Sequence, residues 1–185
     1  MTRTSDGASY ALGHSEREIG RLSLQARIFE PFTRRLFQQA GILPGMRVLD
    51  VGSGAGDVAF LCASLVGPAG AVLGVDKSAA AVENATERAR SAGHANVTFA
   101  VGDAAEMQFA GQFDAVVGRL VLMHQPDPVA LLRKLCRSLR PGGIAAFQEF
   151  DISGAHSFPP SPAFEQCMEW IAAAFAGPER TLAWA

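Results

Sequence analysis

Apolar positions along this chain change their period part-way through. Between positions 19 and 40 they recur at helical spacing, first as Ile19, Leu22, Ala26 and Phe29 and then, after Pro31, as Phe32, Leu36, Phe37 and Ala40. Ser15 and Glu18 have the spacing of a capping box, and Pro31 predicts a break, so the pattern predicts two helices that end at Gly41. After Leu43-Pro44-Gly45 short continuous apolar runs take over, at 47–51, 71–75, 97–101, 114–118 and 144–150. Runs of that kind alternating with helical segments predict parallel strands buried on both faces.

The helices between them have readable ends. Ser78 predicts the cap of a helix that stops near Gly93, and Asp127-Pro128 an N-cap followed by proline at the first helical position. In that second helix Val129, Leu132, Leu135, Cys136 and Leu139 form the expected buried face, with Arg137 and Arg140 at the negative end of its dipole. Pro141-Gly142-Gly143 predicts the turn into the fifth strand. A last helix is expected over 162–176, capped by Ser161, with Phe164, Cys167, Met168, Ile171 and Phe175 on its apolar side and Gly177-Pro178 ending it. The chain divides into a helical cap over 1–42, an α/β core over 43–151 and a loop and helix over 152–185.

Composition narrows the class. With 185 residues, 49% of them apolar, the chain is the size of one domain and can fill a core. Sixteen basic against eighteen acidic residues leave a charge of −2, which argues against a nucleic-acid partner or an anionic membrane surface. The first residues, MTRTSDGASYALG, lack the apolar core of a signal peptide, and no apolar run reaches eighteen residues, so a cytoplasmic protein is expected. Cys62, Cys136 and Cys167 are far apart and lie in helix-like apolar stretches. They read as buried thiols in a reducing compartment rather than metal ligands.

The stretch VLDVGSGAGDVA carries the chemistry. Asp50, Gly52, Ser53, Gly54 and Gly56 lie where the first strand gives way to a helix, the crevice at which open α/β sheets bind ligands. Glycines there let the backbone turn sharply and approach a nucleotide-type ligand closely. A dinucleotide loop runs G-x-G-x-x-G, whereas here Asp57 stands where the third of those glycines would be. Carboxylates at Asp50 and Asp57 would repel a pyrophosphate and suit a ligand that carries an ammonium and a sulfonium.

On these residues the sequence resembles the class I S-adenosylmethionine-dependent methyltransferases. The loop is similar to their first motif, VLDVGSGAG. Asp76-Lys77-Ser78 after the second strand resembles the acidic position that holds both ribose hydroxyls, and Asp103-Ala104 after the third the acid that accepts the adenine amino group. Phe113-Asp-Ala-Val-Val-Gly118 and Leu139-Arg-Pro-Gly-Gly143 resemble the fourth strand and the turn before the fifth, so the likeness runs over positions 8 to 151. It implies a Rossmann-like parallel sheet with helices on both faces, S-adenosyl-L-methionine as cofactor and S-adenosyl-L-homocysteine as product. Within the family the nearest likeness is to small-molecule enzymes such as quinone-pathway C-methyltransferases, in which an N-terminal helical segment closes over the cofactor. On that likeness Tyr10 closes over the methionine end and Arg21 pairs with the cofactor carboxylate, with Arg119 at the same site. A surface arginine and a stray aromatic stand as the plainer reading of Arg21 and Tyr10.

Methyl transfer from a sulfonium depends mainly on holding the acceptor in line, so no catalytic triad is required. His124, just past the fourth strand, is the candidate base, with hydrogen-bonded structure as its alternative. Glu149 and Asp151 either orient a substrate group or are solvated. Gly118-Arg119-Leu120-Val121 replaces the Asn/Asp-Pro-Pro-aromatic motif by which amino-methylating enzymes grip a flipped base, and no Asp-Ala-Asp is present to hold magnesium. A small-molecule acceptor and no metal are expected.

The family fold usually finishes with two more strands, and no runs for them are read before Ala185, so they are expected to be absent. The fifth strand is then expected to be an open edge, either because the chain is a truncated product or because a partner, such as a second copy, completes the sheet. A non-enzymatic S-adenosylmethionine-binding scaffold and a nicotinamide dehydrogenase are the alternative functions.

Overall fold

A computed structural model describes residues 16–109, 112–151 and 154–176. Ser15 of the capping box, Tyr10 and the Gly177-Pro178 stop lie outside the described residues, and of Arg21 only the backbone is described. The elements run α1 (Glu16–Ala40), β1 (Arg47–Val51), α2 (Asp57–Val66), β2 (Ala71–Asp76), α3 (Ala79–Ser91), β3 (Val97–Val101), β4 (Phe113–Arg119), a single 3₁₀ turn (Leu122–His124), α4 (Pro128–Cys136), β5 (Leu139–Gln148) and α5 (Pro162–Ala176). The five strands form one parallel sheet in the order β3-β2-β1-β4-β5, the arrangement that the resemblance implies.

Each face of the sheet has its own core. Val48, Ala115, Val117 and Ala146 pack with Phe37 of α1 and with Val58, Ala59 and Cys62 of α2. On the opposite face Leu49, Val51, Val75 and Val116 pack with Leu131 and Leu135 of α4. Four of the five residues of β1 are buried, which is why VLDV reads as a continuous run. Strand order reverses between β1 and β4, and their carboxyl ends open the crevice where the glycine loop lies.

The helix caps form as expected. Ser78 Oγ accepts the Ala81 amide at 3.2 Å, and Asp127 Oδ1 accepts that of Ala130 at 2.8 Å.

Three expectations need correction. The two N-terminal helices are one, because Pro31 lies inside α1. An interior proline costs about 3 kcal/mol, and the burial of Thr33 and Phe37 just beyond it, both at 0% exposure, offsets that loss. Helix α4 stops at Cys136, one turn early, so Leu139 opens β5 and Arg140 pairs with Asp114 instead of facing a helix end. Val129 and Cys136 are exposed, and the buried face of α4 is Leu131 and Leu135. Pro141-Gly142-Gly143 does bend the chain, but within the strand. Phe113 pairs with Leu139 and Ala115 with Ile144, so residues 140–143 bulge out, with Gly142 at φ 76°.

The thiols also differ from expectation, since only Cys62 is buried and Cys136 and Cys167 are exposed. Among the described residues no helix is long and apolar enough to cross a membrane.

Candidate active site

The loop after β1 is built on left-handed backbone. Gly52, Gly54 and Gly56 have φ of 66°, 50° and 90°, a region that side chains penalise, and Gly56 is the residue from which α2 starts. Space matters as much as φ. A Cβ on Gly52 would stand 2.6 Å from Val121 Cγ2, and one on Gly56 2.8 Å from Phe99 Cζ, whereas nothing lies within 4 Å of that position on Gly54. Two walls therefore hold the base of the loop and its crest is open.

Asp76, at the end of β2, fastens that crest. One carboxylate oxygen takes the Gly54 amide at 2.8 Å and the other the Ser78 amide at 2.9 Å, and the side chain remains half-exposed with lone pairs to spare. Asp103 lies beyond β3. It accepts the Ala105 amide at 2.8 Å and pairs with Lys77 at 2.9 Å, while Ala104 is buried in the second core. Partial burial raises the Asp103 pKa, but the Lys77 ammonium and the Ala105 amide outweigh it and hold the carboxyl below its ordinary value.

Asp50 is the outlier. It is 0% exposed, and neither carboxylate oxygen has a hydrogen-bond partner, nor does the buried Ser53 hydroxyl. Burial pushes the Asp50 carboxyl well above the usual range. Arg119 draws it back down, the Asp76 and Asp57 charges add to the rise, and the Ala59 amide helps the charged form without making a full bond. Asp57 is itself ion-paired with Arg88 at 2.8 Å, and Arg88 also donates to the Ala55 carbonyl and lies over the Phe60 ring. The two acids read from sequence as bare charges are thus one buried group and one paired group, which weakens the electrostatic argument against a pyrophosphate.

Arg119 ends β4 beside this cluster. Its guanidinium donates to Thr33 Oγ1 at 3.3 Å, and that buried hydroxyl also lies 2.6 Å from Gln148 Oε1. Burial lowers the Arg119 pKa from its ordinary value, and the Asp57, Asp50 and Glu30 carboxylates act against the fall. A cavity of about 240 Å³ opens here, lined by Arg119, Asp57, Phe60, Arg88 and, from α1, Arg27 and Glu30.

Past Arg119 the backbone turns at Leu120, whose φ of 56° is the only left-handed value on a non-glycine residue among those described. The turn Leu122–His124 follows, and His124 is exposed at its end. Glu149 is engaged by backbone, its partly buried carboxylate accepting the amides of Val121, Leu122 and Met123.

The structure gathers Asp50, Gly52, Ser53, Gly54, Gly56, Asp76, Lys77, Asp103, Ala104 and Arg119 at the carboxyl ends of β1 to β4, with His124 one turn further on. Sequence reasoning missed Thr33 and Arg27 and misjudged Glu149, whose partners are distant in the chain. Among the described residues no group of three or more His, Cys, Asp or Glu could hold a metal ion.

Comparison with known proteins finds methyltransferases by sequence and by fold. An arsenite methyltransferase from Aquipseudomonas alcaligenes is 42% identical over 116 residues, covering 58% of this chain and 34% of that protein. A 2-phytyl-1,4-naphtoquinone methyltransferase from Synechococcus elongatus is 44% identical over 105 residues, with 56% and 45% covered. The chain thus spans about a third to a half of the length of these curated relatives.

Among solved structures, a SAM-dependent methyltransferase from Aquifex aeolicus superposes with a TM-score of 0.69 over 89% of this chain and 87% of that one, and at 22% identity it attests the fold. Phosphoethanolamine N-methyltransferase 2 from Haemonchus contortus, solved in complex with S-adenosyl-L-methionine, has a TM-score of 0.62 at 30% identity over 75% of this chain and 32% of that one. The profile of the methyltransferase domain matches residues 42–176, reaching past β5 through α5, and on that match the chain belongs to the methyltransferase-domain family.

Proposed function

We propose that this chain binds S-adenosyl-L-methionine across the carboxyl ends of β1 to β4 and moves its methyl group to a small organic acceptor. The observation that carries this reading is the Asp76 carboxylate, tied to the Gly54 and Ser78 amides at the lip of a loop whose three glycines all have positive φ. A rigid acid beside bare backbone suits a nucleoside diol. The orphaned carboxyl of Asp50 fits the cofactor as well, since a cationic group brought into the crevice favours its ionised form.

When bound, the cofactor supplies an activated methyl on a sulfonium. The remaining work falls to the chain. Asp76 holds the ribose hydroxyls, Asp103 gives up part of its pairing with Lys77 to receive the adenine amino group, and Arg119 faces the carboxylate end. Tyr10 and Arg21 belong to the same site in this reading. His124 takes a proton from an acceptor that carries one at the reacting atom. In-line positioning of the acceptor is worth up to ~7–11 kcal/mol in well-oriented systems.

Relatives named for arsenite and for a naphthoquinone support a small acceptor. Three unpaired thiols support a cytoplasmic place of action. Pairing of a second copy along β5, an edge strand among the described residues, accompanies this reading and is read by sedimentation.

Calorimetric titration with S-adenosylhomocysteine, with NADH as control, tests the proposal. Saturable binding of the first alone is expected, and binding of NADH alone would overturn it.

A further inference from the structure

The backbone past β4 is held by the end of β5. Glu149, one residue after that strand, accepts the amides of Val121 and Leu122 on Oε1 at 2.9 Å each, and that of Met123 on Oε2 at 3.4 Å. The Gln148 carbonyl accepts the Leu120 amide at 2.8 Å, so four consecutive N–H groups are fastened by two consecutive residues. The turn Leu122–His124 has no capping side chain of its own, and Glu149 supplies the missing acceptor from another strand. The segment needs holding, because Leu120 at φ 56° stores on the order of 1–3 kcal/mol of backbone strain.

The same segment reaches the glycine loop. The buried Val121 side chain fills the space where a Cβ on Gly52 would stand, with 2.6 Å between them, and His124 ends the turn on the other side. We infer that Glu149 is a positioning residue that locks residues 120–124 against the glycine loop, so that the cofactor loop and the turn bearing His124 are preorganised as one unit. The inference rests on the reading of this crevice as a methyl-transfer site. Its physical content is a population. If the lock opens, Val121 no longer walls Gly52, and the apparent affinity for a ligand on the loop falls by the fraction of molecules in which the wall is in place.

The test uses the full chain with Glu149→Ala, Glu149→Gln and Glu149→Asp, read by amide hydrogen exchange and by calorimetry with S-adenosylhomocysteine. Glu149→Ala should speed exchange at residues 121–123 and weaken the ligand by about tenfold, the loss expected when one molecule in ten retains the wall. Glu149→Gln keeps an oxygen for the two shorter bonds and should come back to within about threefold of the unsubstituted chain. Glu149→Asp keeps the charge but is one methylene short, and should resemble alanine.

Unchanged exchange at 121–123, unchanged affinity when exchange rises, or a glutamine variant no better than alanine would each overturn the lock. If the alanine variant does not fold, the contrast between glutamine and aspartate decides, and equal affinities there overturn it too. An unsubstituted chain that binds no S-adenosylhomocysteine refutes the reading of the site instead, and the exchange measurement, which needs no ligand, still decides whether Glu149 holds the turn.

Discussion

Asp76→Ala separates what Asp76 does for the protein from what it does for a ligand. In the folded chain its two oxygens accept the amides of Gly54 and Ser78 at 2.8 and 2.9 Å. Hydrogen bonds to a charged group contribute about 1.5–3 kcal/mol each, and with the side chain half-exposed the pair is worth ~2–4 kcal/mol of folding free energy. Chemical denaturation should show a loss of that size with an unchanged m-value. On the proposed placement of the cofactor the ligand loses more than this structural support, because two ribose hydroxyls would lose their charged acceptor as well, and binding of S-adenosylhomocysteine should weaken by about a hundredfold or more. Asp76→Asn keeps one oxygen for one amide and presents a donor to the other, so it should fall between alanine and the native residue in stability and close to alanine in affinity. Calorimetry on material shown to be folded at the assay temperature reads both variants. A folded Asp76→Ala chain that binds within threefold of the unsubstituted protein would refute the placement of the diol.

Other substitutions probe other parts of the site. Gly52→Ala should cost about 2–3 kcal/mol, from the left-handed φ and the clash with Val121, and Val121→Ala in that background should recover the steric part, as a double-mutant cycle would show. Because burial raises Asp50 above its unfolded value, its contribution to stability is complete at pH below about 4 and is lost as pH rises through the folded pKa. Asp50→Asn should therefore flatten that slope in a thermal melt and make the ligand-free protein more stable than the native chain at neutral pH, by on the order of 1–3 kcal/mol. Asp114 has the opposite sign. The Arg47 amide, opposed by partial burial, and then Arg140 hold its carboxyl below the usual range, so its contribution is present above pH 4 and is lost as pH falls through the folded pKa, a loss that Asp114→Asn should remove from acid denaturation curves. A thiol reagent should modify Cys136 and Cys167 in the folded protein and Cys62 only on unfolding, since Cys62 is buried and burial raises its pKa.

What could be read from sequence was local or periodic. VLDV declares a doubly buried strand because its neighbours on both sides and both faces are apolar, and Ser78 and Asp127 declare helix starts because their partners lie three residues away. The glycine loop was legible through its spacing. Contacts that connect distant parts of the chain were not. Pro31 reads as a break until Thr33 and Phe37 are seen to be buried beyond it. Asp57 reads as a free charge until α3 brings Arg88 from 31 positions away, and Glu149 reads as a substrate contact or a solvated acid until the amides of residues 121–123 appear, 26 to 28 positions earlier. The isolation of Asp50 is likewise a property of the packed state alone, since nothing in VLDVG says that no donor will reach it.

The pairing of β1 with β4 also sets the order of events in folding. Arg47 and Asp114 meet at 2.6 Å although 67 positions separate them, whereas β1 and β2 are joined by a single helix and its loops. Closing so long a stretch of chain is entropically costly, and non-local parallel pairing is slow. Val121 meets Gly52 only where β1 and β4 are paired, so the crevice is expected to form with that closure. A ligand that needs the crevice has nothing to grip while the chain is still assembling, and it should lower the unfolding rate while leaving the refolding rate almost unchanged.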